Sequence, residues 1–273
     1  MIQIKLNNME IKTNTINFWE LNGYLVANKL FSDQECDCFL DKITQFADKD
    51  FSTIINPDRL DFLIAQSFNL MHEKLELWQR IEFIKNAKLN AQIFRSIMTD
   101  VRINNILQVI HQGKDVAALC SQFLFKKFGS KYQNEAWNPH QDNSYLNIKK
   151  DCAINVQLML SDSNKDNGSL YVYPGSNAEE ILTFEHKVSY GDSAFNQPGN
   201  NCIVPSKYSK IDLEFKKGDV LFIHGNLIHG SYPNLSLLSR PVFAWQTCTL
   251  GDAEIALGAN KGKNAQRKEI RLT

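Results

Sequence analysis

The feature that most constrains the fold is a change in hydrophobic period near residue 116. Before this point, apolar residues recur at the three- and four-residue spacing of helices. After it, the apolar segments are short, rich in β-branched and aromatic residues, and bounded by Gly, Pro, Asn or Asp. With 273 residues and 43% hydrophobic content, the chain can bury a sizeable core without cross-links. We therefore expect one domain over residues 1–273, with a helical block preceding a strand-rich core.

The helical block is predicted over residues 1–115. Residues 15–31 read as a short helix, a turn at Gly23 and a strand. Ser32 and Glu35 have the spacing of a capping box, so a helix is expected to begin there. Apolar stripes predict two further helices, over about residues 69–87 and 91–112.

The strand-rich core is predicted over residues 116–250. Its strands are expected at 118–127, 152–160, 169–173, 219–224 and 240–250. Several short strands after a helical block predict a barrel or a double-sheet sandwich that is supported by helices. The long connection 176–215 is typical of a functional lid. The basic tail 258–273 is expected to be a solvated end.

Composition excludes several classes of protein. Thirty basic and thirty acidic residues give no net charge, which disfavours nucleic acid as a partner. No apolar run approaches the roughly 18 residues that span a bilayer, so no membrane association is expected. The polar N-terminus lacks the apolar region of a secretory signal, and the six cysteines match no disulfide scaffold. These features predict a cytoplasmic protein with reduced thiols.

An imidazole and a carboxylate stand two residues apart at His140 and Asp142. On an extended chain, residues i and i+2 point to the same side, so both side chains can reach one metal ion. His224, at the end of an apolar strand, and His229, which follows it, are candidates for a third ligand. Two histidines and one carboxylate form the facial triad of non-haem Fe(II) oxygenases. An ordinary ion pair between His140 and Asp142 is the alternative that the spacing leaves open.

Three sequence blocks carry a more specific signal. They are HQDNSY at 140–145, DNGSL to PGSN at 166–177, and KGD through HGS to Arg240 at 217–240. In this order and spacing they resemble the phytanoyl-CoA dioxygenase family of Fe(II)/2-oxoglutarate-dependent oxygenases, which includes ectoine hydroxylase. A weaker match begins with GYLV at 23–26. The resemblance runs from about residue 17 to residue 250, which is most of the chain.

The resemblance implies a fold that is mainly β with a helical buttress around a double-stranded β-helix, the jelly-roll core of cupin-like proteins. It implies His140, Asp142 and His229 as the metal ligands, and leaves His224 outside the metal site. Arg240 stands eleven positions after His229, where the family binds 2-oxoglutarate. A guanidinium can grip a carboxylate with two parallel hydrogen bonds. The other cofactor-binding positions that carry over are Ser231, Gln157 and Gln141, with Lys126 or Lys127 as a further basic residue.

The activity implied is hydroxylation of an unactivated C–H bond in a small molecule, an amino-acid-like compound or a natural-product intermediate. Fe(II), 2-oxoglutarate and O2 would be used, and succinate and CO2 released. Desaturation or oxidative cyclisation at the same site is the alternative. Related halogenases carry a small residue in place of Asp142, so halogenation is not expected.

Asn177 replaces a family histidine that does not bind the metal. Trp137, Asn143 and Tyr145 are the candidates for facing the substrate.

Two other functions are compatible with a jelly roll. A catalytically silent cupin-like binding module would not need His140, Asp142, His229 and Arg240 together. A metal-dependent hydrolase or isomerase would give Arg240 no evident task, and the sequence offers no obvious separate general base. Both are less favoured than the oxygenase, and the sequence predicts no particular oligomeric state.

Overall fold

The computed structural model describes most of the strand-rich half and parts of the helical half. The described residues are 3–4, 13–47, 94–129, 131–134, 136–146, 153–182, 201–250 and 270–272. Their helices are α1 (Thr13–Asn22), α2 (Asp33–Ala47), α3 (Val101–Ile110) and α4 (Asn143–Leu146), with a helical turn at 94–98. Short 3-10 turns occupy Lys131–Asn134 and Ser176–Ala178.

The strands form two sheets. In chain order they are β1 (Gln3–Ile4), β2 (Tyr24–Ala27), β3 (Val116–Lys126), β4 (Trp137–His140), β5 (Ile154–Met159), β6 (Leu170–Val172), β7 (Ile211–Asp212), β8 (Val220–His224), β9 (His229–Ser231), β10 (Arg240–Thr249) and β11 (Ile270–Arg271). The major sheet has the order β1-β2-β8-β5-β10-β3-β11, and the minor sheet has the order β4-β9-β6-β7. The pairings are antiparallel except for that of β1 with β2.

Two apolar clusters cover the two faces of the major sheet. Along β8, Phe222 belongs to one cluster, while its neighbours Leu221 and Ile223 belong to the other. The first cluster joins the sheet to α2 and α3, and the second joins it to β6 of the minor sheet. This alternation is the period-2 pattern of a strand that is buried on both faces. The protein is therefore a jelly roll with a helical buttress, as the sequence predicted.

The helical block matches the prediction in its first part. Helix α1 ends before Gly23, whose φ of 73° is the left-handed conformation that glycine adopts without strain. The capping box is present, because the Ser32 main-chain N–H donates to Glu35 Oε2 over 2.7 Å and the Glu35 N–H donates to Ser32 Oγ over 3.2 Å. The helix predicted at 69–87 lies outside the described residues.

The prediction of a single helix over residues 91–112 is wrong. The chain is helical at 94–98, leaves the helix at Thr99–Asp100, and begins α3 at Val101. Asp100 is the N-cap of α3, with extended backbone angles and a side chain that accepts from the Arg102 main-chain N–H. A capping aspartate satisfies an otherwise unpaired helical N–H, so it favours a new helix start over continuation.

The prediction of a solvated tail is also wrong for residues 270–272. Strand β11 pairs with Ala117 and Ala118 of β3, and Leu272 is buried at 8% exposure. The Leu272 main-chain N–H donates to Val116 O, and its carbonyl accepts from the Asn104 side chain. The free edge of β3 provides the hydrogen-bonding groups that order this segment. Among the helices that the structure describes, none is long and apolar enough to cross a membrane.

The charge on Glu35 is expected to stabilise the start of α2. The Arg102 guanidinium donates to the Glu35 carboxylate and lowers the pKa of that carboxyl to about 2. A carboxyl with a lowered folded-state pKa adds stability above its unfolded pKa and loses it as pH falls towards the folded value. Because the Glu35 side chain is 45% exposed, solvent screening limits the effect to about 1 kcal/mol. We expect Glu35→Gln to lower the urea-unfolding free energy by this amount at pH 7 and by less at pH 3.

The matched control for this prediction is Asp41→Asn, which removes an exposed carboxylate later in the same helix. This variant should unfold as the wild type does at pH 7. An equal loss for Glu35→Gln at both pH values would contradict the role given to the charge.

Candidate metal centre

Three predicted ligands meet where the two strands β4 and β9 pair. His140 ends β4, His229 begins β9, and the two residues are direct partners in the antiparallel ladder. Asp142 follows β4 in the turn that leads into α4, so it lies beyond the extended segment that the sequence predicted. Its Oδ1 is 3.5 Å from His140 Nε2 and 3.7 Å from His229 Nε2. All three side chains are at least 95% buried, and their ligand atoms lie within 4.8 Å of one another.

Main-chain carbonyls fix the orientation of both imidazoles. Nδ1 of His140 lies 2.7 Å from Asn138 O, and Nδ1 of His229 lies 2.9 Å from Leu227 O. A carbonyl oxygen only accepts, so each Nδ1 carries the proton and each Nε2 presents its lone pair to the triad. Burial, together with the nearby His140, lowers the pKa of His229 to about 4. The His229 ring is therefore neutral at physiological pH and available as a metal ligand.

The Asp142 carboxylate uses its two oxygens differently. Oδ1 faces the histidines, while Oδ2 accepts hydrogen bonds from Asn155 Nδ2 over 2.8 Å and from Gln246 Nε2 over 3.4 Å. Neither amide was predicted from the sequence. One signal could have found Asn155: it stands two residues before Gln157 in a strand that is otherwise apolar, and so shares the face of that predicted site residue.

The donor set fits iron. Two imidazole nitrogens and one carboxylate oxygen, gathered at one buried point, match the two-histidine, one-carboxylate set that binds Fe(II) and leaves coordination positions open. The hydrogen bonds behind each ligand are the outer contacts that such sites use to orient their ligands. His224 is not part of the set: its ring lies 6.0 Å from that of Trp19 in α1.

Two buried cationic side chains lie next to β9, the strand that carries His229. Lys126 and Arg240 face each other across the β3–β10 ladder, at 0% and 2% exposure. Lys126 Nζ donates to Ser231 Oγ over 2.9 Å and to the Tyr232 carbonyl, while Arg240 Nη2 donates to Gly168 O over 2.6 Å. Lys127 is exposed, so the structure selects Lys126 as the basic residue of this cluster. An anionic group could be held here by charge-assisted hydrogen bonds.

The two glutamines that were predicted to bind the co-substrate, Gln157 and Gln141, differ in their surroundings. Gln157 lies on β5, is 3% exposed, and its Oε1 has no hydrogen-bond partner among the described residues. A buried acceptor of this kind is suited to a ligand or a water. The Gln141 amide is engaged by main-chain groups instead. It donates to Asn226 O over 2.8 Å and to Glu180 O over 3.2 Å, and it accepts from the Leu182 N–H over 2.9 Å.

The candidate substrate residues are only partly brought together. The Trp137 ring is 5.8 Å from that of His140, which places it beside the triad. Asn143 is instead packed against the main chain of Gly225, and its Nδ2 donates to Asn226 Oδ1 over 2.6 Å. Tyr145 lies in α4, with a side chain outside the described set. Asn177, the departure from the family pattern, donates to Glu20 O of α1.

On β9, Gly230 stands between His229 of the triad and Ser231, which accepts a hydrogen bond from Lys126. A Cβ at this position would meet Trp137 O and Tyr171 Oη at 2.4 Å, so any side chain would displace the strand. The Tyr171 hydroxyl donates to Trp137 O over 3.2 Å, so β6 is also joined to β4 next to Gly230. Glycine therefore lets β4 and β9 approach closely while His229 and Ser231 face the interior.

We expect Gln141→Ala to loosen the segment that follows the turn at Ser176–Ala178. The substitution leaves the carbonyls of Asn226 and Glu180 and the N–H of Leu182 without their side-chain partner. Unsatisfied buried groups cost about 1–3 kcal/mol, so the chain should lose stability in this range. Hydrogen exchange at 179–182 should accelerate more than exchange in β5.

Gln133→Ala is the control, because it removes a partly buried glutamine that also bonds to the main chain, at Ser236 O. It should leave exchange at 179–182 unchanged. Uniform acceleration across the protein in Gln141→Ala would show a general loss of stability rather than a local anchor.

The jelly roll and the buried His-Asp-His triad together define the class of non-haem iron oxygenases that use 2-oxoglutarate. The sequence profile described as phytanoyl-CoA dioxygenase (PhyH) matches residues 19–242. The chain therefore belongs to the phytanoyl-CoA dioxygenase family, and it is an iron- and 2-oxoglutarate-dependent dioxygenase. This confirms the resemblance seen in the three sequence blocks.

Individual relatives agree with this assignment. Phytanoyl-CoA dioxygenase 1 of Oryza sativa subsp. japonica is 27% identical over 251 residues, which cover 82% of this chain and 84% of the rice protein. The crystal structure of the epimerase SnoN in complex with Fe3+, alpha ketoglutarate and nogalamycin RO matches with a TM-score of 0.62 and 15% identity, over 95% and 94% of the two chains. HygX from Streptomyces hygroscopicus, with nickel and 2-oxoglutarate bound, matches with a TM-score of 0.59 and 15% identity, over 89% and 88%. At this identity, the two structures support the fold alone.

Proposed function

We propose that the protein hydroxylates an unactivated C–H bond of a small molecule, an amino-acid-like compound or a natural-product intermediate. In the balanced reaction, one oxygen atom of O2 enters the substrate and the other enters succinate as 2-oxoglutarate loses CO2. The observation that carries the proposal is the intact carboxylate of Asp142, 3.5 and 3.7 Å from the two histidine nitrogens. Because the Asp142 carboxylate is present, no position among the three protein ligands is left open for a halide.

His140, Asp142 and His229 are proposed as the metal ligands. Iron, once bound with 2-oxoglutarate and O2, would supply the oxidant that removes hydrogen from the substrate. The protein provides neutral imidazoles whose lone pairs converge and a carboxylate whose second oxygen is held by amides. Burial of the whole set keeps water away from a reactive centre.

Arg240, Lys126 and Ser231 are proposed to bind the distal carboxylate of 2-oxoglutarate. Lys126 already donates to Ser231 Oγ, and Ser231 lies two residues from His229 on the same face of β9. Two buried cations attract an anion strongly, because the low local dielectric strengthens the interaction. Gln157, which is buried on β5, is proposed to line the same site.

The substrate is proposed to enter beside Trp137, near the triad. Of the connection predicted as a lid, residues 176–182 and 201–215 are described, and the others lie outside the described residues. Residues 180–182 are hydrogen-bonded to Gln141, which lies between the two proposed ligands His140 and Asp142, so a substrate that contacts these residues could influence the triad. Trp137 favours a substrate with an apolar or aromatic part.

The proposal is tested under anaerobic conditions. The protein is loaded with Fe(II) and titrated with 2-oxoglutarate, while the visible charge-transfer absorption of a metal-chelated 2-oxo acid is recorded. We expect the absorption to appear in the wild type and in Lys127→Ala, and to be lost or weakened in Arg240→Ala. Succinate release then serves to screen small molecules, and product analysis distinguishes hydroxylation from desaturation and cyclisation. A folded, iron-loaded protein without this absorption would contradict the proposed function.

A further inference from the structure

The two oxygens of Asp142 have separate environments, and the partners of Oδ2 lie outside the triad. Asn155 on β5 and Gln246 on β10 are direct neighbours in the β5–β10 ladder of the major sheet. Their side chains, 9% and 8% exposed, reach the carboxylate from the same side. The turn that carries Asp142 is thereby joined to the major sheet, while both histidines belong to the minor sheet.

We propose that Asn155 and Gln246 are positioning residues that restrict Asp142 to binding the metal through Oδ1 alone. This inference rests on the metal-binding role proposed above for the triad. Neither amide touches the metal position in this arrangement, and both act through the carboxylate.

The direction of the Asn155 hydrogen bond follows from the chemistry of the two groups. An ionised carboxylate only accepts, so the Asn155 atom that lies 2.8 Å from Oδ2 must be the donor Nδ2. Rotating the amide would place two oxygens against each other, which is unfavourable. The other amide atom, Asn155 Oδ1, has no hydrogen-bond partner among the described residues, so nothing described competes for the side chain's orientation. Gln246 adds a longer bond of 3.4 Å to the same oxygen.

The consequence concerns the number of coordination positions. A carboxylate can bind a metal through one oxygen or both. With one oxygen bound, an octahedral ion keeps three positions, enough for a chelating 2-oxo acid and dioxygen. With both bound, one of these positions is lost. An amide donor on Oδ2 holds that oxygen away from the metal and favours the first mode.

Asn155→Leu tests this role, because leucine has nearly the shape of asparagine and lacks the donor. In the Fe(II)-loaded, anaerobic protein, we expect the Kd of 2-oxoglutarate to rise by roughly 10- to 100-fold, the usual effect of losing an outer contact at a metal site. The Kd of glutarate, which has the distal carboxylate but no keto oxygen to chelate the metal, should remain that of the wild type. Gln246→Leu should shift the Kd of 2-oxoglutarate in the same direction, but less, because its bond is longer.

Asn104→Ala is the control for loss of a buried amide, since Asn104 bonds to Leu272 O in the helical buttress. It should bind both acids as the wild type does. Unchanged 2-oxoglutarate binding in Asn155→Leu would overturn the inference, as would an equal loss of both acids, which indicates a distorted anchor site. If Asn155→Leu does not fold, Asn155→Ala, which also lacks the donor, is measured instead. A wild type that binds no 2-oxoglutarate would overturn the proposed function itself, so the two failures are distinguishable.

Discussion

The His229→Ala protein is expected to fold but to bind Fe(II) at least about 100-fold more weakly than the wild type, beyond the range of outer-contact variants. The substitution removes one of the three proposed ligands and leaves a single imidazole beside Asp142. Turnover should fall below detection, because the co-substrate chelate needs the metal. Fe(II) affinity measured by competition with a chromogenic chelator, together with circular dichroism of the same sample, gives the two quantities required.

His224→Ala provides a matched control for this substitution. His224 lies five residues earlier, and its ring is packed near Trp19 rather than in the triad. It should retain wild-type Fe(II) affinity even if it loses some stability. Equal Fe(II) affinities for the two variants would exclude His229 as a ligand and would reopen the choice between the two histidines that the sequence presented.

Lys126→Met is expected to weaken 2-oxoglutarate binding by roughly 10- to 100-fold, because hydrogen bonds to charged groups contribute about 1.5–3 kcal/mol. Methionine keeps most of the volume of the lysine stem and removes the charge. Without co-substrate, this variant should be as stable as the wild type or more so, since replacing a buried charge by an apolar residue is often neutral or stabilising. The stabilisation that saturating 2-oxoglutarate gives in thermal unfolding should shrink accordingly.

The neighbouring Lys127→Met serves as the control, because Lys127 is exposed. It should retain both the affinity and the ligand-induced thermal shift. A large loss of stability in unliganded Lys126→Met, combined with unchanged 2-oxoglutarate affinity, would assign Lys126 a structural role instead.

The three residues that meet in the buried triad could be predicted from the sequence, two of them because their spacing is local and the third because of the family pattern. His140 and Asp142 are two residues apart, and the family pattern selected His229 over His224. Lys126 could not be distinguished from Lys127, because the choice depends on the register of β3 against β10, which the sequence does not specify. The same limit hid Gln246, which reaches Asp142 across 104 residues of chain.

The strands were predicted closely, whereas connections and ends were not. The strand expected at 240–250 is found at Arg240–Thr249, since a long apolar run between proline and glycine is a clear signal. Strand β11 consists of two residues in a polar tail, and its order comes from the edge of β3 rather than from its own pattern. The break at Asp100 depended on a capping contact that competes with an otherwise continuous apolar stripe.

In the proposed site, the short strand β9 also determines the length of co-substrate that fits. Two residues of extended chain span about 6.7 Å, so the positions of His229 and Ser231 would set the separation between the proposed metal site and the proposed carboxylate-binding site. A side chain at Gly230 would meet Trp137 O, so glycine at this position lets β9 stay paired with β4 over this interval. With the roles proposed here, a five-carbon 2-oxo diacid can reach both ends at once. Oxaloacetate is one carbon too short and 2-oxoadipate one carbon too long, so the proposed roles predict discrimination between 2-oxo diacids by chain length.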